Sequence, residues 1–222
     1  MRLRVALLVA LLIAALAPLR ANVNPHFYYL NPAQLDLTVL LPPPPDASSS
    51  EERSDEEQVA AAVAARSPAQ LFQAEEGAKR SVFYFTPAVG AGFTSARLPT
   101  TALLFSHMRS DVANLIDQAK SYWDRPRPNG VVRNRGSYPS GHAAFAASAA
   151  IVLSQLIPSK RDAIFTQART FAENRILLGL HYPSDVASGW TAGTLAAYVM
   201  MRNPGFQHDY AAAAAELRKA NL

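Results

Sequence analysis

The chain has 222 residues, of which 50% are hydrophobic and none is cysteine, and its formal net charge is +4. That length supports one domain with a sizeable core, and that composition excludes a disordered chain. The missing cysteines exclude disulfides, thiolate catalysis and cysteine-based zinc sites.

From the N-terminus, Arg2 and Arg4 precede a nearly unbroken apolar run over residues 5–16, too short for an ordinary transmembrane helix. Residues 1–21 are therefore expected to be a signal peptide, cleaved after Ala21. A chain so processed would work in the bacterial periplasm or outside the cell, with no stable membrane insertion. Residues 1–21 hold Arg2, Arg4 and Arg20 and no acid, so removing them lowers the net charge from +4 to +1. Despite a sequence pI of about 9.5, the mature protein is nearly neutral and no nucleic-acid binding is expected.

Residues 22–57 read as an extended proline-rich leader followed by an acidic, solvated loop over 46–57. Pro25, Pro32 and the run 42–45 cannot sit inside a helix. The cluster Phe27, Tyr28 and Tyr29 implies that the leader packs onto the body. Residues 58–222 are expected to form one helical domain. Ser54-Asp55-Glu56-Glu57 and Ser67-Pro68-Ala69-Gln70 are helix-start patterns. Residues 87–97 read as a loop. Leu104, Met108, Val112, Leu115 and Ala119 recur at helical spacing and predict a helix ending near Lys120. A second loop covers 124–139. Three helices follow: about 140–157, then from Pro158 to about Leu178 with Gly179 as its stop, then from near Pro183 through Met201. The apolar stretches 143–157 and 186–201 are short for membrane spans and fit buried core helices. No two-residue alternation is sustained, so the fold class is all-α.

Three stretches concentrate chemically able residues: Lys120 to Pro128, Gly136 to His142, and Asn174 to Asp185. Ser140-Gly141-His142 opens an apolar helix, whose N-terminal N–H groups and dipole favour an anion, and Gly141 permits close approach. Lys120, Arg127 and Arg175 are cations suited to phosphate oxygens. His181 and Asp185 lie four apart at a helix start. A carboxylate there can take the proton of one imidazole nitrogen and leave the other free to attack. His142 remains to protonate a leaving oxygen. Taken singly, each residue has a plainer reading: a structural histidine, a solvated lysine, Ser140 as a simple helix cap. His26, His107 and His208 fit no motif.

The combination closely resembles the three-part signature of the type 2 phosphatidic acid phosphatase superfamily. Lys120, Arg127 and Pro128 match its first part; Pro139, Ser140, Gly141 and His142 its second; Arg175, His181 and Asp185 its third. The leader Phe27-Tyr-Tyr-Leu30, the prolines 42–45, Gly136-Ser-Tyr and Asn203-Pro-Gly-Phe look like the soluble class A bacterial nonspecific acid phosphatases. In departure from the pattern, Asn174 stands where the signature has Ser, and Ala143 follows His142 where many members carry a hydroxyl. The loop between Pro128 and Pro139 is short for the family.

The resemblance implies a helical bundle of the phosphatase and vanadium haloperoxidase type, and broad phosphomonoester hydrolysis through a phosphohistidine, with no metal and no cofactor. His181 would be the nucleophile, Asp185 its orienting group and His142 the general acid and base. Lys120, Arg127, Ser140, Gly141 and Arg175 would bind the phosphate of small phosphomonoester substrates. A lipid phosphatase of the same superfamily would bring several long apolar spans, and a vanadium haloperoxidase a much longer chain. A non-catalytic phosphate-binding protein would need the cations but neither His142 nor His181. A homo-oligomer is left open.

Overall fold

The computed structural model describes residues 26–131, 133 and 135–222; the expected signal peptide lies outside them. The described residues contain helices and no strand. In chain order the helices that carry the fold are α1 (Ser50–Ala65), α2 (Pro68–Glu76), α3 (Pro99–Trp123), α4 (Gly141–Leu156), α5 (Arg161–Leu177), α6 (Pro183–Met200) and α7 (Pro204–Lys219).

α4 is the axis. Its sequence is apolar on every side and nearly all its side chains are buried, so it needs neighbours all round. It has them in α3, α5 and α6. The α4–α6 contact is made by backbone. A Cβ at Gly193 would stand 2.0 Å from the Ala144 carbonyl oxygen, and one at Gly189 would stand 2.3 Å from the Ser140 carbonyl oxygen. Only glycine permits that approach. It locks the N-terminal end of α4 beside the first turns of α6.

α3 follows the expected periodicity. Leu104, Met108, Val112, Leu115 and Ala119 are all buried against the core. The helix runs past Lys120 to Trp123 and stops where Asp124 takes a left-handed conformation, φ 41°. Leu98 offers no side-chain cap at its start. Glu216 of α7 supplies one instead, accepting the N–H groups of Thr100 at 2.9 Å and Thr101 at 2.8 Å.

The leader docks as its aromatic cluster implies. Asp111 of α3 accepts the backbone N–H groups of Tyr28, Tyr29 and Leu30 at 2.7–2.9 Å. The Tyr29 hydroxyl donates to Asp209 at 2.6 Å, and Asn203 donates to the Tyr29 carbonyl at 3.0 Å. His107 belongs to this joint, stacked on Tyr28 with ring centroids 3.8 Å apart.

The acidic stretch is a correction. Residues 46–57 are not a solvated loop: α1 begins at Ser50, with Ser49 rather than Ser54 as its cap, its side chain accepting the Glu52 N–H at 3.0 Å. The boundary expected between 57 and 58 therefore falls inside a helix. Residues 50–57 lack an apolar stripe because the face they bury is acidic, with Glu52 and Asp55 turned inward. Residues 87–97 likewise begin inside a short helical turn, Thr86–Val89, before the chain opens out. The alanine-rich stretch after Asn203 is α7.

Candidate active site

The site forms where the C-terminal end of α3, the loop after it, the start of α4, the end of α5 and the start of α6 meet. Pro183 opens α6, and Asp185 in its first turn reaches back to accept the Tyr182 N–H at 3.0 Å. The same oxygen faces His181 Nδ1 at 3.2 Å. On the other side of the ring, Arg127 Nη1 stands 3.2 Å from His181 Nε2. An arginine can only donate, so Nε2 carries the lone pair and Nδ1 the proton. The tautomer is fixed from both sides. Burial pulls the pKa of His181 down to about 4, although Asp185 works against the fall. Burial also resists ionisation of Asp185, but His181 and Arg125 outweigh it and hold the carboxyl below the usual range. Above about pH 4 the pair is a neutral imidazole beside a carboxylate.

The cations converge as the spacing implies. Lys120, Arg127 and Arg175 line one cavity of about 700 Å³ with Gly141, His142 and His181. Lys120, in the last turn of α3, donates to the carbonyls of Gly136 at 2.7 Å and Ser137 at 2.6 Å, leaving one ammonium proton for a ligand. Burial, reinforced by Arg127, lowers its pKa to about 7. Arg127 donates to the carbonyls of Leu180 at 2.7 Å and Gly136 at 3.1 Å. Arg175 is 5% exposed, and its Nε and Nη1 have no acceptor among the described residues; Arg127 Nε has none either. Burial and the neighbouring arginines bring the Arg175 pKa to about 10. Buried donors left without acceptors at the floor of a basic cavity are matched by an oxyanion.

At the start of α4 the roles divide. Ser140 caps the helix, accepting the Ala143 N–H at 3.4 Å, and its own N–H goes to the Asp185 carbonyl at 2.9 Å. Ser140 is wholly buried, so the backbone contribution expected of it is already used, and only its hydroxyl hydrogen stays unassigned. The N–H groups of Gly141 and His142 have no acceptor among the described residues. His142 Nε2 lies 3.0 Å from the Ala78 carbonyl, which makes it the donor there and leaves Nδ1 for a ligand. Burial and then Arg175 hold the His142 pKa well below the ordinary value.

Several residues of the site were not singled out from the sequence. Arg80, Arg133 and Arg135 also line the cavity, Arg135 paired with Asp117. Arg125 is 5% exposed and donates to Asp185 Oδ1 at 2.7 Å, to Asp55 at 2.8 Å, to Glu52, and to Ser184 at 2.8 Å. It thereby ties α1 to the carboxylate behind His181. A signal was present: an arginine two residues before Arg127, and two acids three apart in α1. Asn174 donates to the Tyr84 hydroxyl at 3.1 Å, beside Arg175. Among the described residues no group of three or more His, Asp or Glu side chains could hold a metal ion, and no helix is long and apolar enough to cross a membrane.

Known proteins place this arrangement. The chain is 30% identical over 151 residues to a non-specific acid phosphatase of Salmonella typhi, a match covering 62% of this chain and 60% of that protein. It is 30% identical over 146 residues to an acid phosphatase of Zymomonas mobilis, covering 60% and 55%. The chain thus spans about 60% of the length of the curated relatives it matches. A transmembrane PAP2 type phosphatidylglycerolphosphate phosphatase from Bacillus subtilis shares the fold, with TM-score 0.52, 22% identity, and coverage of 69% of this chain and 86% of that one. The family model of the PAP2 superfamily matches residues 99–209, which run from the start of α3 into α7 and enclose every residue from Lys120 to Asp185. The histidine pair and its cations therefore lie inside the matched region, and the chain belongs to the PAP2 superfamily.

Proposed function

We infer that this chain is an acid phosphatase that hydrolyses phosphomonoesters through a phosphohistidine. The observation that carries the reading is His181: its proton is held by Asp185, and its lone pair faces a cavity where Arg175 presents two buried N–H groups without acceptors. The bound phosphoryl oxygens take those donors, the Arg127 Nε, the Lys120 ammonium and the N–H groups of Gly141 and His142. Arg127 Nη1 leaves the imidazole for the anion. His181 Nε2 then bonds to phosphorus as the ester oxygen departs, and Asp185 stabilises the positive charge that develops on the ring. His142 gives its Nδ1 proton to the departing oxygen, and afterwards takes one from the water that attacks the phosphohistidine, releasing inorganic phosphate. Burial and then the neighbouring cations disfavour the protonated form of His142; the charge of an arriving phosphate opposes them and favours it. The cations neutralise the phosphate, so activity is expected to survive chelation. The apolar run behind Arg2 and Arg4 supports export to the periplasm or beyond.

Release of phosphate from p-nitrophenyl phosphate after dialysis against a chelator, with rapid acid quench of labelled substrate, tests the proposal. Wild type should turn over and trap label on protein. His181→Asn should lose activity by several orders of magnitude and trap none. Label trapped on His181→Asn, or activity that only zinc or magnesium restores, would overturn it.

A further inference from the structure

The catalytic cavity does not end at His142. A second cavity of about 500 Å³ adjoins it, and Arg80 lines both. Arg80 is the partition. Its Nη1 lies 2.9 Å from where a Cβ would stand on Gly141, so the guanidinium rests against the first turn of α4. Beyond it the second cavity presents Lys79 and Arg109, the hydroxyls of Ser81, Ser95 and Ser106, and an apolar floor that includes Phe105. No acidic side chain lines it. Among the described residues neither Lys79, Arg80 nor Arg109 forms a salt bridge. Burial, and after it the charge of Arg109, lowers the pKa of Arg80.

The position of this cavity relates it to the chemistry. His142 Nε2 donates to the carbonyl of Ala78, and Ala78 is itself a wall of the second cavity. The second cavity therefore meets the catalytic one at Arg80, next to the Ala78 carbonyl that holds His142. A leaving group long enough to pass Arg80 would reach it. Three cations without carboxylate partners and three hydroxyls suit a phosphate dianion; an apolar floor under them suits the carbon skeleton between two phosphates.

We propose that the second cavity is a subsite for a phosphate carried on the leaving group, so that the preferred substrates are small bisphosphorylated molecules. The proposal rests on the phosphatase reading of the first cavity and deepens it. Arg80 bridges the two phosphates, while Lys79 and Arg109 hold the distal one. The distal phosphate is not cleaved in that binding mode; it raises occupancy and aligns the ester oxygen with His142.

The test compares α,ω-alkanediol bisphosphates of increasing chain length with alkyl monophosphates of the same length. At the length that spans Arg80, kcat/KM for the bisphosphate should exceed that for the monophosphate by at least about tenfold, well beyond the statistical factor of about two for its two esters. In Lys79→Gln/Arg109→Gln that ratio should fall towards the statistical factor. Turnover of the monophosphate by the variant shows that the catalytic cavity remains folded. Calorimetry with non-hydrolysable alkane bisphosphonates and alkyl monophosphonates reads the same preference without turnover. An inactive wild type that still binds bisphosphonates preferentially would sink the phosphatase reading and keep the subsite. Monoester turnover with no bisphosphate preference at any length, or a preference that survives the double substitution, would sink the subsite and keep the phosphatase.

Discussion

At the scale of single residues, Lys120 and His181 set opposite ends of a working pH range. Both are buried, and burial disfavours the charged form of each. For His181 the neutral form is the useful one, so a pKa of about 4 keeps the nucleophile available through the mildly acidic range. For Lys120 the charged form is the useful one, and a pKa of about 7 means that its charge is lost from the empty site as pH rises through 7. The dependence of kcat/KM on pH reports the free enzyme. It should rise with a midpoint near 4, and loss of the Lys120 charge should add a fall with a midpoint near 7 to the one imposed by His142, whose protonated form burial disfavours. The lysine's part of the fall should come from KM more than from kcat, because the lysine grips phosphate and does not transfer a proton. Lys120→Arg, profiled alongside, should move the alkaline limb upward; a limb that stays in place would remove Lys120 from the assignment. These two residues, with His142, Arg127, Arg175 and Asp185, were legible in the sequence because each part of the signature is local: the spacing places each group at a helix end or in the loop beside one. Arg80 was not, since forty residues separate it from Lys120 and only the fold brings it to Gly141.

At the scale of elements, two joints hold the site. The first is the backbone contact of α4 with α6. Gly193→Ala would push a methyl group into the Ala144 carbonyl, which is backbone and cannot rotate aside. A cost of about 3 kcal/mol, the upper end for overpacking, is expected in urea unfolding, with loss of activity because α6 carries Asp185 in its first turn and His181 just before it. A variant as stable as wild type would mean that α6 stands further from α4. The second joint is Arg125, which gathers Glu52 and Asp55 of α1 and Asp185 of α6 around one guanidinium. Arg125→Met leaves three buried carboxylates without their cation, and breaking such a cluster costs about 3–5 kcal/mol. Asp185, whose carboxyl Arg125 helps hold below the usual range, would then favour protonation, so the loss should be largest near neutral pH and shrink as the solution is acidified; a loss independent of pH would point to packing instead. This joint also explains why residues 50–57 read as a loop. Their buried face is charged, its partner lies 70–73 residues away, and local periodicity registers only apolar faces.

At the scale of the whole molecule, a modest net charge of +4 conceals a strong local one: Lys120, Arg127, Arg175, Arg80 and Arg133 share a cavity whose lining includes one carboxylate, Asp117, already paired with Arg135. Holding these cations together opposes folding, and an oxyanion relieves it. Inorganic phosphate should therefore raise the unfolding temperature, and more at pH 5, where Lys120 keeps its charge, than at pH 8, where it does not. Equal shifts at the two pH values would show that Lys120 is not in contact with the anion. The leader carries a different kind of consequence. Its aromatic anchor, Tyr29, is fastened to Asp209 and Asn203, at sequence separations of 180 and 174 residues. Closing so long a loop is slow, and its partners Asn203 and Asp209 are made after every helix that builds the catalytic cavity. The front of the chain thus has no complete berth until α7 has been made. A nascent chain ending at α6 already holds His181, Asp185 and the Asp111 carboxylate that receives the leader backbone, yet the Tyr29 hydroxyl still waits for its partner.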